Sequence, residues 1–162
     1  MKKLIALLLG VTVLLSLAAC GNSVEKTEED DAQIPNPFAN CDTLEDAAAI
    51  SGFDMTAPDS IDGYSNRIIQ AVENEMVQVI YGDSDNTVIL RKAVGEEDVS
   101  GDYNSYTQTN EAAINNMKVT FKGDNNLVNV AIWTQDGYSF AIDIDGEGLS
   151  AEAVTALVQA MG

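Results

Sequence analysis

"LVNVAIWTQDGYSFAIDID", residues 127–145, is the stretch whose reading decides the fold class. Its two halves are runs of apolar, β-branched and aromatic residues, a composition that suits a pleated, half-buried surface. Between them stands Asp136-Gly137, a pair that favours the tight two-residue hairpin turn because both positions accept positive φ. The stretch therefore reads as two antiparallel strands. In the second, Tyr138, Phe140, Ile142 and Ile144 recur at period two and share one face.

The same period extends upstream. "NMKVTFKG" (116–123) places Met117, Val119 and Phe121 inward and Lys118, Thr120 and Lys122 outward, and "GDNN" (123–126) turns the chain into the strand over 127–135. "RIIQAVEN" (67–74), "EMVQVIYG" (75–82) and "TVILRKAV" (87–94) read as three more strands, with Arg67, Ile69 and Ala71 on one side of the first. "GDSDN" (82–86) supplies a tight turn between the last two. Short turns between successive strands require antiparallel pairing. Helical spacing is confined to the two ends. "CDTLEDAAAISGF" (41–53) carries a capping box, Thr43 with Asp46, then a face of Leu44, Ala47 and Ala48, and Gly52 to close it in a left-handed turn. Pro58 keeps the next segment extended. Ser150 caps a closing helix over 151–161, where Val154, Leu157, Val158 and Met161 follow the 3.6 period. The expected architecture is α+β: about six antiparallel strands, with an N-terminal and a C-terminal helix packed on one face.

The other informative stretch is the N-terminus. Lys2 and Lys3 precede an uncharged apolar run from Leu4 to Ala19, which stops at Cys20. A positive start, a short apolar stretch and small residues at its exit read as an export signal. Leu17-Ala18-Ala19-Cys20 resembles the bacterial lipobox, in which the cysteine thiol takes a diacylglyceryl group before the signal is cut away. Residues 1–19 are thus expected to be a lipoprotein signal peptide, with Cys20 as the lipid-attachment residue and membrane anchor. Acyl chains hold because each buried CH₂ adds ~0.8 kcal/mol. Residues 20–36 read as the lipidated cysteine and a disordered acidic tether, since "GNSVEKTEEDDAQIPN" has almost nothing that joins a core. Residues 37–162 are left as a single extracytoplasmic α+β domain, on the outer face of the cell membrane.

Without Lys2 and Lys3, six of the eight basic residues remain against 26 acids, a net charge of −20. Nucleic acid is excluded as a partner on that balance, because its recognition starts from a basic patch. The sequence contains no histidine, which removes Ser-His-Asp and Cys-His catalysis and the commonest zinc ligand. With Cys20 acylated, Cys41 has no intramolecular partner; it reads as a buried small residue at the start of a helix.

In order along the chain, "NPFANCDTLEDAAAISGFDM", "VIYG", "RKAVGEEDVSGDYNSY", "VTFKG", "AIWTQDGYSFAI" and "GLSAEAVTALV" resemble a family of small lipoprotein domains of unknown function in Gram-positive, Firmicutes-type bacteria. They are also similar to the extracytoplasmic domain of unknown function attached to some membrane-bound anti-sigma factors. The resemblance implies a domain presented outside the cytoplasmic membrane. It brings no catalytic residue, cofactor or activity.

Three stretches are candidates for chemistry. "DIDGEGLSAEAV" (143–154) opens like a calcium loop, with acids at positions one, three and five and glycine at six. Val154 stands where the bidentate acid belongs, so a strand ending in a glycine-rich turn before a helix cap accounts for it, and no metal site is expected. "VGEEDVSGDYNSY" (94–106) places Glu96, Glu97, Asp98, Asp102, Tyr103 and Tyr106 in a connection expected over 95–115. A connection that long inside a compact domain is usually functional or partly structured. It is a candidate calcium or polar-ligand site, against the alternative of a solvated acidic loop whose tyrosines pack back on the sheet. Trp133 is either an exposed stacking platform for a sugar or peptide, or core packing.

The expected function is a non-enzymatic binding or sensing domain for an unknown protein or small-molecule ligand, anchored through Cys20, with no cofactor. The alternative is a carboxylate-dependent hydrolase of cell-envelope or extracellular glycans, which requires two carboxyls within about 10 Å in a concave site. A second alternative, an apolar-ligand carrier, requires a sizeable apolar cavity between sheet and helices.

Overall fold

Side-chain alternation along each strand sorts the chain into two faces, and that sorting builds the fold. The computed structural model describes residues 36–161. The signal segment, Cys20 and the tether before Asn36 lie outside the described residues. In chain order come β1 (Ala39–Cys41), α1 (Leu44–Ser51), β2 (Arg67–Val72), β3 (Met76–Asp83), β4 (Asn86–Val94) and β5 (Gln108–Ile114). Then follow β6 (Met117–Gly123), β7 (Leu127–Val128), β8 (Val130–Gln135), β9 (Tyr138–Ile144), β10 (Leu149–Ser150) and α2 (Ala151–Met161). Eight strands form one sheet in the order β1-β2-β3-β4-β9-β8-β6-β5, antiparallel throughout, while β7 and β10 make a separate pair.

The expectation of about six strands is corrected to eight in the main sheet. β1 is only three residues long, and Cys41 closes it instead of opening a helix. That thiol is half-buried and donates to the Ala39 carbonyl at 3.7 Å. β5, "QTNEAAI", carries no aromatic residue and is mostly exposed, so it lacks the signature of a half-buried strand. The long connection from β4 accordingly ends at residue 107. The run over 127–135 is also not continuous. Asn129 breaks it, turning a buried amide to the Ile144 and Gly146 carbonyls at 3.3 and 3.2 Å. Close approach at this break requires a glycine, since a Cβ on Gly123 would stand 2.1 Å from the Leu127 carbonyl oxygen.

Cross-strand register defines an inner face. Leu90 lies opposite Val79 and Ile142, Trp133 opposite Phe140, and Phe121 opposite Ala131. All are buried in one cluster with Ala47 of α1 and Val154, Leu157, Val158 and Met161 of α2, so both helices cover this face. Helix α1 starts on the capping box: the Asp46 amide donates to Thr43 Oγ1 and the Thr43 amide to Asp46 Oδ2, each at 3.1 Å. Gly52 ends it at φ 82°. Lys92 falls on the inner face by register. Its ammonium lies 5.4, 4.5 and 5.4 Å from the Phe53, Tyr138 and Phe140 ring centres and donates to the Asp54 carbonyl at 2.6 Å. Those contacts let a cation end an apolar layer.

The outer face carries a polar chain across four strands. Gln70 donates to Asn40 at 2.8 Å, Gln78 to Gln70 at 2.7 Å, and Arg91 Nε to Gln78 at 3.0 Å. Residues 95–107 cross this face from the β4 end near Gly137 to the start of β5 beside Gly123. Arg91 pins the crossing by donating to the carbonyls of Val99 and Ser100. Gly101 passes so close that a Cβ would meet Arg91 Nη1 at 2.9 Å, and its φ is +71°.

Candidate functional site

Three chain segments end together beside β5. The crossing supplies Asp102, Asn104, Ser105 and Tyr106, the β6–β7 turn supplies Asp124, Asn125 and Leu127, and the β9–β10 turn supplies Ile144, Asp145, Gly146 and Glu147. With Asn129 they line a cleft of about 630 Å³. Its wall has four carboxylates and no lysine or arginine.

Each wall is fixed by local chemistry. Tyr106 donates its phenol to Asp102, and burial together with that carboxylate pushes the phenol up to about 12, so it stays a donor. Asp124 accepts from the Thr107 amide at 2.8 Å and from its hydroxyl at 2.5 Å. These bonds hold Asp124 below the usual carboxylate range, and it stays ionised. Asp145 accepts from Thr87 Oγ1 at 3.1 Å while its amide donates to the Thr87 carbonyl at 2.9 Å. Asn125 and Asn126, at φ 53° and 63°, make the β6–β7 turn, a conformation asparagine tolerates better than most residues.

Under the crossing lies Asp143, with Oδ2 3.9 Å from Arg91 Nη1 and both side chains about 15% exposed. Burial pushes its carboxyl up to about 6; Arg91 pulls it down, and Asp102 and Asp145 push it up again. Burial likewise lowers Arg91, with Asp143 opposing.

The sequence candidates are not gathered at this cleft. Asp102 lines it, while Tyr103, 97% exposed, is its neighbour in the chain. Asp98 pairs with Lys122 at 3.2 Å and accepts from the Ser100 amide at 2.9 Å. Burial raises its carboxyl, but the Ser100 and Lys122 bonds outweigh this and leave it below the usual range. Glu96, Glu97 and Trp133 line a separate hollow of about 220 Å³ with Lys118 and Thr120. Trp133 is buried and stacked on Phe140, with ring centres 5.1 Å apart and 7° between planes, which excludes the exposed platform. In the 143–154 stretch, Asp145 and Glu147 line the cleft while Asp143 is set against Arg91. Among the described residues no three acidic or cysteine side chains are placed to hold a metal ion. For Cys41, burial and then Asp46 and Asp42 raise the thiol, away from a reactive thiolate.

Arg91, Asp124 and Asn129 were not singled out by the sequence reading, while Asp145 and Glu147 entered it only as acids of the 143–154 stretch, where no metal site was expected. One signal was present: Gln70, Gln78, Arg91 and Asp143 are all polar residues set into apolar strands. Compared with protein-family models, curated proteins and solved structures, the chain matches none.

Proposed function

We propose that this chain is a lipid-anchored extracytoplasmic protein whose domain is a non-enzymatic binding or sensing module for a positively charged ligand. The observation that carries the reading is the cleft of about 630 Å³, walled by Asp102, Asp124, Asp145 and Glu147 without a basic side chain. Such a concavity focuses a negative potential, which raises the local concentration and the on-rate of a cation. An organic cation suits it better than a metal ion, since hard metals need several oxygens converging at about 2.0–2.6 Å. The lipobox at Cys20 and the resemblance to lipoprotein domains of unknown function support presentation on the outer side of the membrane, where the tether spaces the module from the lipid.

The test is calorimetric titration of residues 36–162 with spermine, against sodium chloride at equal ionic strength. Saturable binding that Asp124→Asn with Asp145→Asn removes is the expected result. Absence of binding, or binding that the double variant keeps, overturns the reading. A panel of ester, peptide and glycoside substrates covers the alternative supported by clustered carboxylates in a concave site. Turnover that Asp102→Asn abolishes would replace the binding module with a hydrolase.

A further inference from the structure

β5 is an open edge. It ends the eight-stranded sheet, and among the described residues nothing pairs with its outer side. The two-residue turn at Asn115 and Asn116, at φ 48° and 65°, makes Ile114 and Met117 a hydrogen-bonded pair. Bonded pairs alternate in an antiparallel ladder, so Ala112, Asn110 and Gln108 also bond to β6. Thr109, Glu111 and Ala113 then aim their amides and carbonyls outward, and all three are exposed. The strand carries none of the usual guards: no proline, no lysine, no bulge, and its single acid is tied to Lys118 at 2.7 Å.

A mainly apolar groove of about 340 Å³ runs along the inner side of this edge. Ala112 and Phe121 form its floor, with Leu127, Val128 and Ala151 opposite. Leu127 and the β6–β7 turn are shared with the acidic cleft. Gln108, which begins β5, is bonded to that turn through the Asn126 amide at 3.1 Å. The edge, the groove and the cleft thus lie side by side.

We propose that β5 takes an extended segment of a partner protein as a ninth strand, with alternate apolar side chains in the groove and a basic flank in the cleft. This deepens the binding reading above and rests on it. Unpaired backbone groups select a strand as the occupant, and pockets beside an edge select its alternate side chains. Charge selects its sign: the chain without its signal carries −20, which disfavours a second copy and favours a cationic segment. Antiparallel addition, the pairing used by every strand of this sheet, brings the segment's C-terminal end to the start of β5, beside the cleft.

The probe is a capped nine-residue peptide of three valine–threonine repeats followed by three lysines, with the reversed sequence as its control. The protein is residues 36–162, which supply the whole of the core described above. We expect saturable binding to the first peptide, about tenfold tighter than to the second, because only the first brings strand pairing and charge together. In hydrogen exchange, the amides of Thr109, Glu111 and Ala113 gain protection while those already bonded to β6 do not change. Glu111→Pro removes a central outward donor and weakens binding by about tenfold. Should that variant fail to fold, Ala112→Trp, which fills the groove from an exposed edge, gives the same loss. The inference is overturned if neither peptide binds, if both bind equally, if the outward amides gain no protection, or if the protein alone dimerises through β5. Spermine binding that survives any of these results leaves the cleft reading standing.

Discussion

Replacing Asp143 with asparagine should stabilise the domain above about pH 6 and leave it almost unchanged near pH 4. The carboxylate faces Arg91 at 3.9 Å with 16% of its side chain exposed, yet burial still pushes it up to about 6. The ionised pair therefore opposes folding, because desolvation exceeds the attraction. The gap from an ordinary 3.8 to about 6 corresponds to about 3 kcal/mol as an upper bound. An amide reproduces the shape but not every hydrogen bond of the protonated acid, so roughly 1–2 kcal/mol is expected, a rise in Tm of about 3–8 °C. The sign follows from linkage. The folded pKa lies above the unfolded one, so the protonated form stabilises fully below about pH 3.8 and that contribution disappears as pH rises through about 6. Asparagine does not titrate. Melting curves of 36–162 and the variant, followed by circular dichroism at fixed ionic strength, should converge near pH 4 and separate to a plateau by about pH 7. A variant that melts lower at pH 7.5, or an offset that stays constant across this range, refutes the reasoning.

Other outcomes follow from the same contacts. Arg91→Met leaves the Asp143 carboxylate without its ion-pair partner and the Gln78, Val99 and Ser100 acceptors without their donor, so it should cost about 2–4 kcal/mol in urea unfolding and expose residues 95–107 to proteolysis. A loss below about 0.5 kcal/mol would show that the crossing is held by something else. Millimolar calcium should raise Tm no more than sodium at equal ionic strength, because Asp98 and Asp102 are already committed to Lys122 and Tyr106. A calcium-specific rise lost in Asp98→Asn with Asp102→Asn would make the crossing a metal site. Cys20→Ala should abolish labelling by radioactive palmitate and leave an unprocessed precursor; unchanged labelling would end the lipoprotein reading.

Much of the fold was legible because its signals are local. The Asp136-Gly137 turn, the Thr43–Asp46 box and the alternation of Met117, Val119 and Phe121 each act within a few residues, and each appears where the pattern places it. β5 was not legible. Its exposed Thr109, Asn110 and Glu111 face water at an edge, so burial never shaped its sequence into an alternating pattern. The pairing of β4 with β9 was also invisible, since turns announce which strands are joined but not which edges meet. The cleft was hidden for the same reason. Asp102, Asp124 and Asp145 belong to three turns separated by about 20 residues each, and only the crossing and the lateral pairing of β6, β8 and β9 bring them together.

The β4–β9 seam has a consequence for how the chain finds its structure. β1 to β4 form one run of neighbours, and β5, β6, β8 and β9 another, each assembled from contacts closer in sequence than those that join the two. Joining them pairs Val88 with Ile144 and Val94 with Tyr138, across far longer loops. Loop-closure entropy places this joining late, so the slow step of folding should be the docking of two preformed ribbons. Docking also needs a register, which two apolar inner faces alone specify weakly. A slip of one residue turns one ribbon over relative to the other, setting Asp143 in the layer of Leu90 or Arg91 in that of Ile142, with the charge parted from its partner. The charges that weaken the finished sheet thereby make its misaligned alternatives unaffordable.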